Sequence, residues 1–133
     1  GGAGGPTLSG DGLIVATPTG STAYNVSAGG PIVSPNVDAV VVTPLAAHSL
    51  GFRPFVMSGD SPLEIVIERA NEGTTVVIDG QESYPVAAGD RLRIMRHERS
   101  VEFVTCSREP YWRILIDKMR WAAPPNYRRS DPS

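Results

Sequence analysis

The sequence predicts a mainly β fold of two packed sheets, with a short helix early in the chain and an amphipathic helix near its end. Three features point there: short apolar runs alternating with turn residues, a period of two through the second half, and helical spacing confined to residues 110–121. The size is sufficient, since 133 residues with 41% hydrophobic and 20% charged side chains can bury one ordinary core.

The opening Gly1-Gly2-Ala3-Gly4-Gly5-Pro6 has no core-forming run and no apolar h-region, so residues 1–8 read as a linker or remnant. Gly12-Leu13-Ile14-Val15-Ala16 reads as a strand ending against Thr17-Pro18-Thr19-Gly20. Residues Thr22 to Ala28 follow as a short helix, with Ser21 as its N-cap and Gly29-Gly30-Pro31 stopping it. Ala39-Val40-Val41-Val42-Thr43 is a nearly continuous apolar strand closed by Pro44, and Pro54 to Met57 is another extended piece; both read as buried.

The second half reads as a meander. Leu63, Ile65 and Ile67 alternate with Glu64 and Glu68, and Thr75 to Ile78 runs into Asp79-Gly80, a pair suited to the positive φ angles of a tight hairpin turn. Leu92 and Ile94 lie among Arg91, Arg93 and Arg96, and Val101, Phe103 and Thr105 alternate with Glu102 and Val104. Trp112, Leu115, Ile116 and Met119 fall at i, i+3, i+4 and i+7, between Pro110 at a first helical position and Pro124-Pro125. The polar, proline-containing end lacks periodicity, so residues 123–133 read as a disordered tail.

Charge and cysteine usage narrow the function. A net charge of −2 with a pI near 5.6 provides no general attraction to nucleic acid or to an anionic membrane. The single cysteine, Cys106, cannot form an intramolecular disulfide and reads as packing rather than a nucleophile. No apolar run reaches the roughly 18 residues of a membrane span, so cytoplasm is the simplest compartment. His48 and His97 are the only histidines, and no metal-ligand spacing surrounds them. His48 reads as a satisfied surface residue. Arg91, Arg93, Arg96, Arg99 and Arg108 are interleaved with glutamates and read as a solvated face.

The chemistry concentrates in Asp11 through Tyr24 and on to Ser27-Ala28-Gly29-Gly30-Pro31. Small hydroxyl residues and glycines at a helix start offer free N–H groups and short donors to a large polar ligand. The segment is not a Walker A loop, because its turn lacks the required lysine and Lys118 is the only lysine in the chain. The same residues would serve equally as a simple helix cap, and Asp11 as a turn residue.

This run, DG-L-I-V-A-T-P-T-G-S-T-A-Y followed by S-A-G-G-P, resembles the strand-turn-helix signature of NAD kinases. The resemblance continues through Val42-Thr43-Pro44-Leu45, His48-Ser49-Leu50, Phe52-Arg53-Pro54 and Asp79-Gly80-Gln81 to Tyr111-Trp112 and Trp121, and so spans residues 9–122. It implies the NAD-binding C-terminal β domain of such an enzyme, and a family site in which Asp11, Thr19, Thr22, Ala23, Tyr24, Ser27 and Ala46 line the NAD. Thr22 and Ser27 would supply hydrogen bonds, Ala23 close backbone approach, and Tyr24 a flat face with a polar tip. The implied reaction transfers a phosphoryl group from ATP or polyphosphate, with magnesium or another divalent cation, to the adenosine 2′-hydroxyl of NAD.

The family's glycine-glycine-aspartate-glycine motif and its asparagine-acidic pair belong to an N-terminal domain ahead of the signature, and neither precedes the signature in these 133 residues. Gly1-Gly2-Ala3-Gly4 has alanine where the aspartate belongs, and Ser9-Gly10-Asp11-Gly12 belongs to the signature strand. The resemblance therefore places no catalytic residue in this chain, and it implies that these residues alone are inactive. It also implies an N-terminal domain as partner and a homo-oligomer in which C-terminal domains meet. The alternatives are a lipid or diacylglycerol-type kinase C-terminal domain, against which the T-P-T-G-S-T-A-Y run argues, and a non-catalytic nucleotide-binding or interaction β module.

Overall fold

The computed structural model describes residues 5–49 and 51–100, together with Arg113 and Leu115. The chain divides into two units, Gly1–Glu98 and Arg99–Ser133. In the second, Arg113 and Leu115 are helical and Leu115 is buried. The rest of the expected terminal helix, the strand around Val101 to Thr105, Cys106, Arg108 and the tail lie outside the described residues.

The first unit contains β1 (Gly12–Ala16), β2 (Ala39–Leu45), β3 (Phe55–Ser58), β4 (Leu63–Val66), β5 (Thr75–Ile78), β6 (Glu82–Pro85) and β7 (Arg91–Ile94). Between β1 and β2 come a 3-10 turn, Thr19–Thr22, and a one-turn helix α1, Tyr24–Ser27. The fold is mainly β, but the described strands form three small antiparallel sheets instead of two: β1-β2-β3, β4-β7 and β5-β6.

β2 is central because it has almost no polar face. Ala39, Val41 and Thr43 are buried on one side and Val42 on the other, so the strand gains most between two neighbours. Ile14 and Val15 of β1 stand opposite Thr43 and Val42, and Val56 of β3 stands opposite Val41. Val33, Ala39 and Val41 form the core, with Ala16 packed against them. The expectation of a buried Pro54 to Met57 strand needs correction: among the described strands β3 lies at the edge of its sheet, and about half the surface of Phe55 and Val56 is accessible.

The second half is a pair of nested hairpins, not a meander. Asp79 and Gly80 have φ of 51° and 67°, and the Gln81 N–H donates to the Ile78 carbonyl at 3.0 Å, as a type I′ turn requires. β4 pairs across this hairpin with β7. Its register shows why: Leu63 faces Ile94 and Ile65 faces Leu92 on one side, while Glu64 faces Arg93 and accepts from Arg91 at 3.1 Å on the other. β6 is exposed throughout and offers β4 no such complement. Beyond β7, Arg96 pairs with Asp38 and, at 2.8 Å, with Asp60, joining the lead-in to β2 with the turn after β3. Among the described residues no helix is long and apolar enough to cross a membrane.

The β1–β2 pairing continues past the strand ends. The Asp11 N–H donates to the Leu45 carbonyl at 2.9 Å and the His48 N–H to the Ser9 carbonyl at 2.8 Å. The β2 side carries one residue more, which Ala46 absorbs at a φ of 46°. Gly10 lies so close that an added Cβ would stand 2.9 Å from the Leu45 carbonyl oxygen and 3.0 Å from that of Ala46. Those atoms are backbone and cannot swing aside. Gly10→Ala is therefore expected to cost about 1–3 kcal/mol by urea denaturation, whereas Gly51→Ala, which meets only Ser49 Oγ at 3.5 Å, should change little. Equal midpoints for the two variants would contradict this packing.

Candidate functional site

The segment from Thr17 to Val33 is shaped by side-chain bonds to backbone. Thr17 Oγ1 accepts the Gly20 N–H at 3.0 Å, and Ser21 Oγ donates to the Pro18 carbonyl at 2.6 Å while accepting the Val33 N–H at 2.9 Å. Ser21 is fully buried. Its expected role as helix N-cap is thus corrected: its hydroxyl is committed to Pro18 and Val33, a 3-10 turn forms over Thr19–Thr22, and the helix contracts to Tyr24–Ser27 behind Ala23. The predicted stop signal is correct. The Gly30 N–H donates to the Asn25 carbonyl at 2.8 Å and the Gly29 N–H to that of Val26 at 2.9 Å, with Gly29 at a φ of 85°, a Schellman closure.

Asn25 is the residue that sequence reasoning missed. Its side chain is 1% exposed and fully paired: Nδ2 donates to the Ser21 carbonyl at 3.1 Å and the Pro31 carbonyl at 3.0 Å, and Oδ1 accepts from Thr43 Oγ1 at 2.5 Å. Swapping O and N would aim an acceptor at two carbonyls, so the donor pattern fixes the amide orientation. A signal existed in the sequence. Thr43 continues the inward alternation of Ala39 and Val41, so its hydroxyl had to find a buried partner.

The seven expected ligand residues fall into two groups. Thr19, Thr22, Ala23, Tyr24 and Ser27 form one continuous ledge, on which Tyr24 is 65% exposed, Ala23 and Ser27 are exposed, and Thr22 Oγ1 donates to the Thr19 carbonyl at 3.2 Å. Asp11 and Ala46, both exposed, stand together where Asp11 bonds to Leu45. The ledge begins three residues past β1, whose end at Ala16 is about 16–17 Å of extended chain from Asp11. α1 turns back along β1, and Asn25 reaches Thr43, three residues before Ala46. Beside the second group, Ser9 Oγ and His48 Nδ1 are 3.0 Å apart, so His48 is a partnered surface residue as expected. The arrangement offers an accessible aromatic face, short hydroxyl donors and one carboxylate. Such a combination suits a flat, polar, hydroxyl-rich ligand.

Residues 6–106 match the family described as the ATP-NAD kinase C-terminal domain. The NAD kinase of Geotalea daltonii is 43% identical over 115 residues, which are 86% of this chain and 40% of that protein. Among solved structures, yeast NADH kinase complexed with NADH superposes with a TM-score of 0.75 at 28% identity, covering 88% of this chain and 37% of that one. An NAD kinase from Archaeoglobus fulgidus in complex with ATP gives 0.60 at 37% identity, covering 68% and 34%. The chain thus spans about two-fifths of the length of the curated relatives it matches.

The burial pattern separates support from ledge. Ser21→Ala removes a buried hydroxyl with two backbone partners and should cost about 1–3 kcal/mol in chemical denaturation. Tyr24→Ala should stay within about 0.5 kcal/mol, because that ring is mostly in solvent. A large stability loss for the tyrosine variant would mean that its ring is packed and not displayed.

Proposed function

The chain belongs to the ATP-NAD kinase C-terminal domain family, and on that premise we propose that it forms the NAD-binding part of an NAD kinase. The whole protein would transfer the γ-phosphoryl group of ATP, or a phosphoryl group of polyphosphate, to the adenosine 2′-hydroxyl of NAD and so make NADP. The observation that carries this reading is the displayed ledge from Thr22 to Ser27, held from beneath by buried hydrogen bonds that leave Tyr24 in solvent. An exposed aromatic ring on a braced turn is costly to leave unused and well suited to stacking against a base.

In this reading Tyr24 stacks against the adenine-bearing end of NAD. Thr19, Thr22 and Ser27 hydrogen-bond its polar groups, Ala23 and Ala46 admit its backbone-hugging edge, and Asp11 accepts hydrogen bonds from hydroxyl or amide donors. Magnesium or another divalent cation enters with ATP as part of that substrate, neutralising its phosphates. Abstraction of the 2′-hydroxyl proton needs a positioned base, and the one acid of the signature segment, Asp11, is assigned to binding. We therefore assign catalysis to an N-terminal domain bearing a glycine-glycine-aspartate-glycine motif, and none to these residues.

The domain is proposed to run over residues 9–122, between a linker at 1–8 and a tail at 123–133. It would work in the cytoplasm as part of a homo-oligomer, without nucleic-acid or membrane partners. The half-exposed Phe55 and Val56 on an edge strand suit self-association.

Three measurements test the reading. In a protein that joins this chain to its N-terminal domain, Asp11→Ala and Thr22→Val should each raise the KM for NAD about 5- to 150-fold, the loss of one hydrogen bond to a polar or charged group. Unchanged kinetics in both would remove the NAD assignment. The 133-residue chain assayed alone with ATP, magnesium and NAD should form no detectable NADP, because positioning and charge stabilisation together supply many orders of magnitude of rate. Robust turnover by the chain alone would mean that its own residues are catalytic. Light scattering at high concentration should detect dimers or larger species, and a strict monomer would refute self-association of this domain.

A further inference from the structure

We infer that Asn25 and Thr43 are positioning residues that set the distance between the two halves of the ligand site, the Thr22–Ser27 ledge and the Asp11–Ala46 rim. This rests on the NAD-binding reading for its ligand, while the positioning itself is a property of the free protein.

The inference starts from connectivity. By sequence, the ledge is attached to the rim only through β1 on one side and the long stretch to β2 on the other. Ser21 ties the ledge to Pro18 and Val33, both in the loop that carries it. The bond from Thr43 Oγ1 to Asn25 Oδ1 is different, because it joins the helix to the central strand. From Thr43 the chain runs through Pro44 and Leu45 to Ala46, about 10 Å in extended form, and Leu45 accepts the Asp11 N–H. One side chain on α1 is thereby referenced to the strand that ends in the rim.

The bond is also hard to replace. Thr43 is fully buried and Asn25 nearly so, which leaves no room for water to substitute for either partner. Gly30 closes the third side, since an added methyl there would overlap both Asn25 Oδ1 and Thr43 Oγ1. Both amide hydrogens of Asn25 are already engaged, so the side chain cannot turn to find another acceptor. Tyr24 directly precedes Asn25, so its backbone follows wherever the amide is held. The geometry therefore gives Asn25 and Thr43 influence over the ligand although neither is exposed to it.

The test uses the 133-residue chain with Thr43→Val, which removes the hydroxyl at nearly equal volume, and Thr43→Ser, which keeps it; Thr43→Ala gives the same readout should the valine variant not fold. Ser21→Ala is the control that weakens the same region without breaking the Asn25–Thr43 bond. In the free protein, NMR should show Tyr24 to Ser27 resonances shifted and Gly30 amide exchange accelerated by Thr43→Val, with the Asp79–Gln81 hairpin unchanged and Thr43→Ser restoring the pattern. A purely structural role would raise exchange everywhere, and that result, or no change at Tyr24 to Ser27, would overturn the inference. In NAD titrations, Thr43→Val should weaken binding about tenfold, the effect of the ledge holding its binding-competent place only about a tenth of the time. Combined with Tyr24→Leu the two losses should be less than additive, because Thr43 acts in part through the placement of that ring. Fully additive losses would overturn the inference. Failure of the unsubstituted chain to bind NAD would instead refute the NAD reading, and the exchange data on the free protein would decide the positioning role.

Discussion

A single buried carboxamide organises the part of this domain that carries the signature turn and helix. Asn25 accepts one hydrogen bond and donates two, and each partner lies on a different stretch of chain: the 3-10 turn at Ser21, the exit at Pro31 and the central strand at Thr43. An amide left unpaired at such a site would forfeit on the order of 1–3 kcal/mol per missing partner. The surrounding backbone is thus held to the arrangement that satisfies all three. Hydrophobic burial could not do this alone, because the apolar cluster of described residues beneath, Val33, Ala39 and Val41, is non-directional. The core holds the sheet together, and the polar knot decides where the helix lies upon it.

The elements legible in the sequence were those with a local cause. Asp79-Gly80 specified its turn through backbone sterics, Gly29-Gly30-Pro31 specified the helix stop, and the apolar run at Ala39 to Thr43 specified a strand with two neighbours. The misread elements depended on partners distant in sequence. Nothing near Ser21 reveals that Val33 will claim its hydroxyl, so the N-cap reading was reasonable and incorrect. Pairing of β4 with β7 rather than with its neighbour follows from the complement of Leu63 with Ile94 and Glu64 with Arg93, 31 and 29 residues apart. Local alternation predicts that these are strands and is silent on which strands meet.

The proposed ligand residues come from another route. Composition and periodicity mark the Thr17 to Gly30 region only as a turn and a short helix, equally consistent with a cap. The length of the resemblance selected the seven positions, and the structure adds that six of them are exposed and Thr22 half-buried, with five along one stretch of chain and two at the rim. Asn25 escaped both routes. It lies inside the signature and contacts no solvent, so it reads as a ligand residue from its chemistry and as a core residue from its burial. Its bonds to backbone and to Thr43 resolve this in favour of support.

The rim combines strain and smallness at Ala46. A residue with a side chain in the left-handed region costs roughly 1–2 kcal/mol, which glycine would avoid. Here that cost is offset by the bonds on either side, Asp11 to Leu45 and His48 to Ser9, which fix the backbone before and after the kink. Gly10 opposite has no side chain and allows the two strand ends to close. Glycine at position 46 would relieve the strain but loosen the kink in the unfolded and folded chain alike. Alanine keeps the kink defined, because its methyl group restricts the backbone, and beside it Asp11 stays exposed.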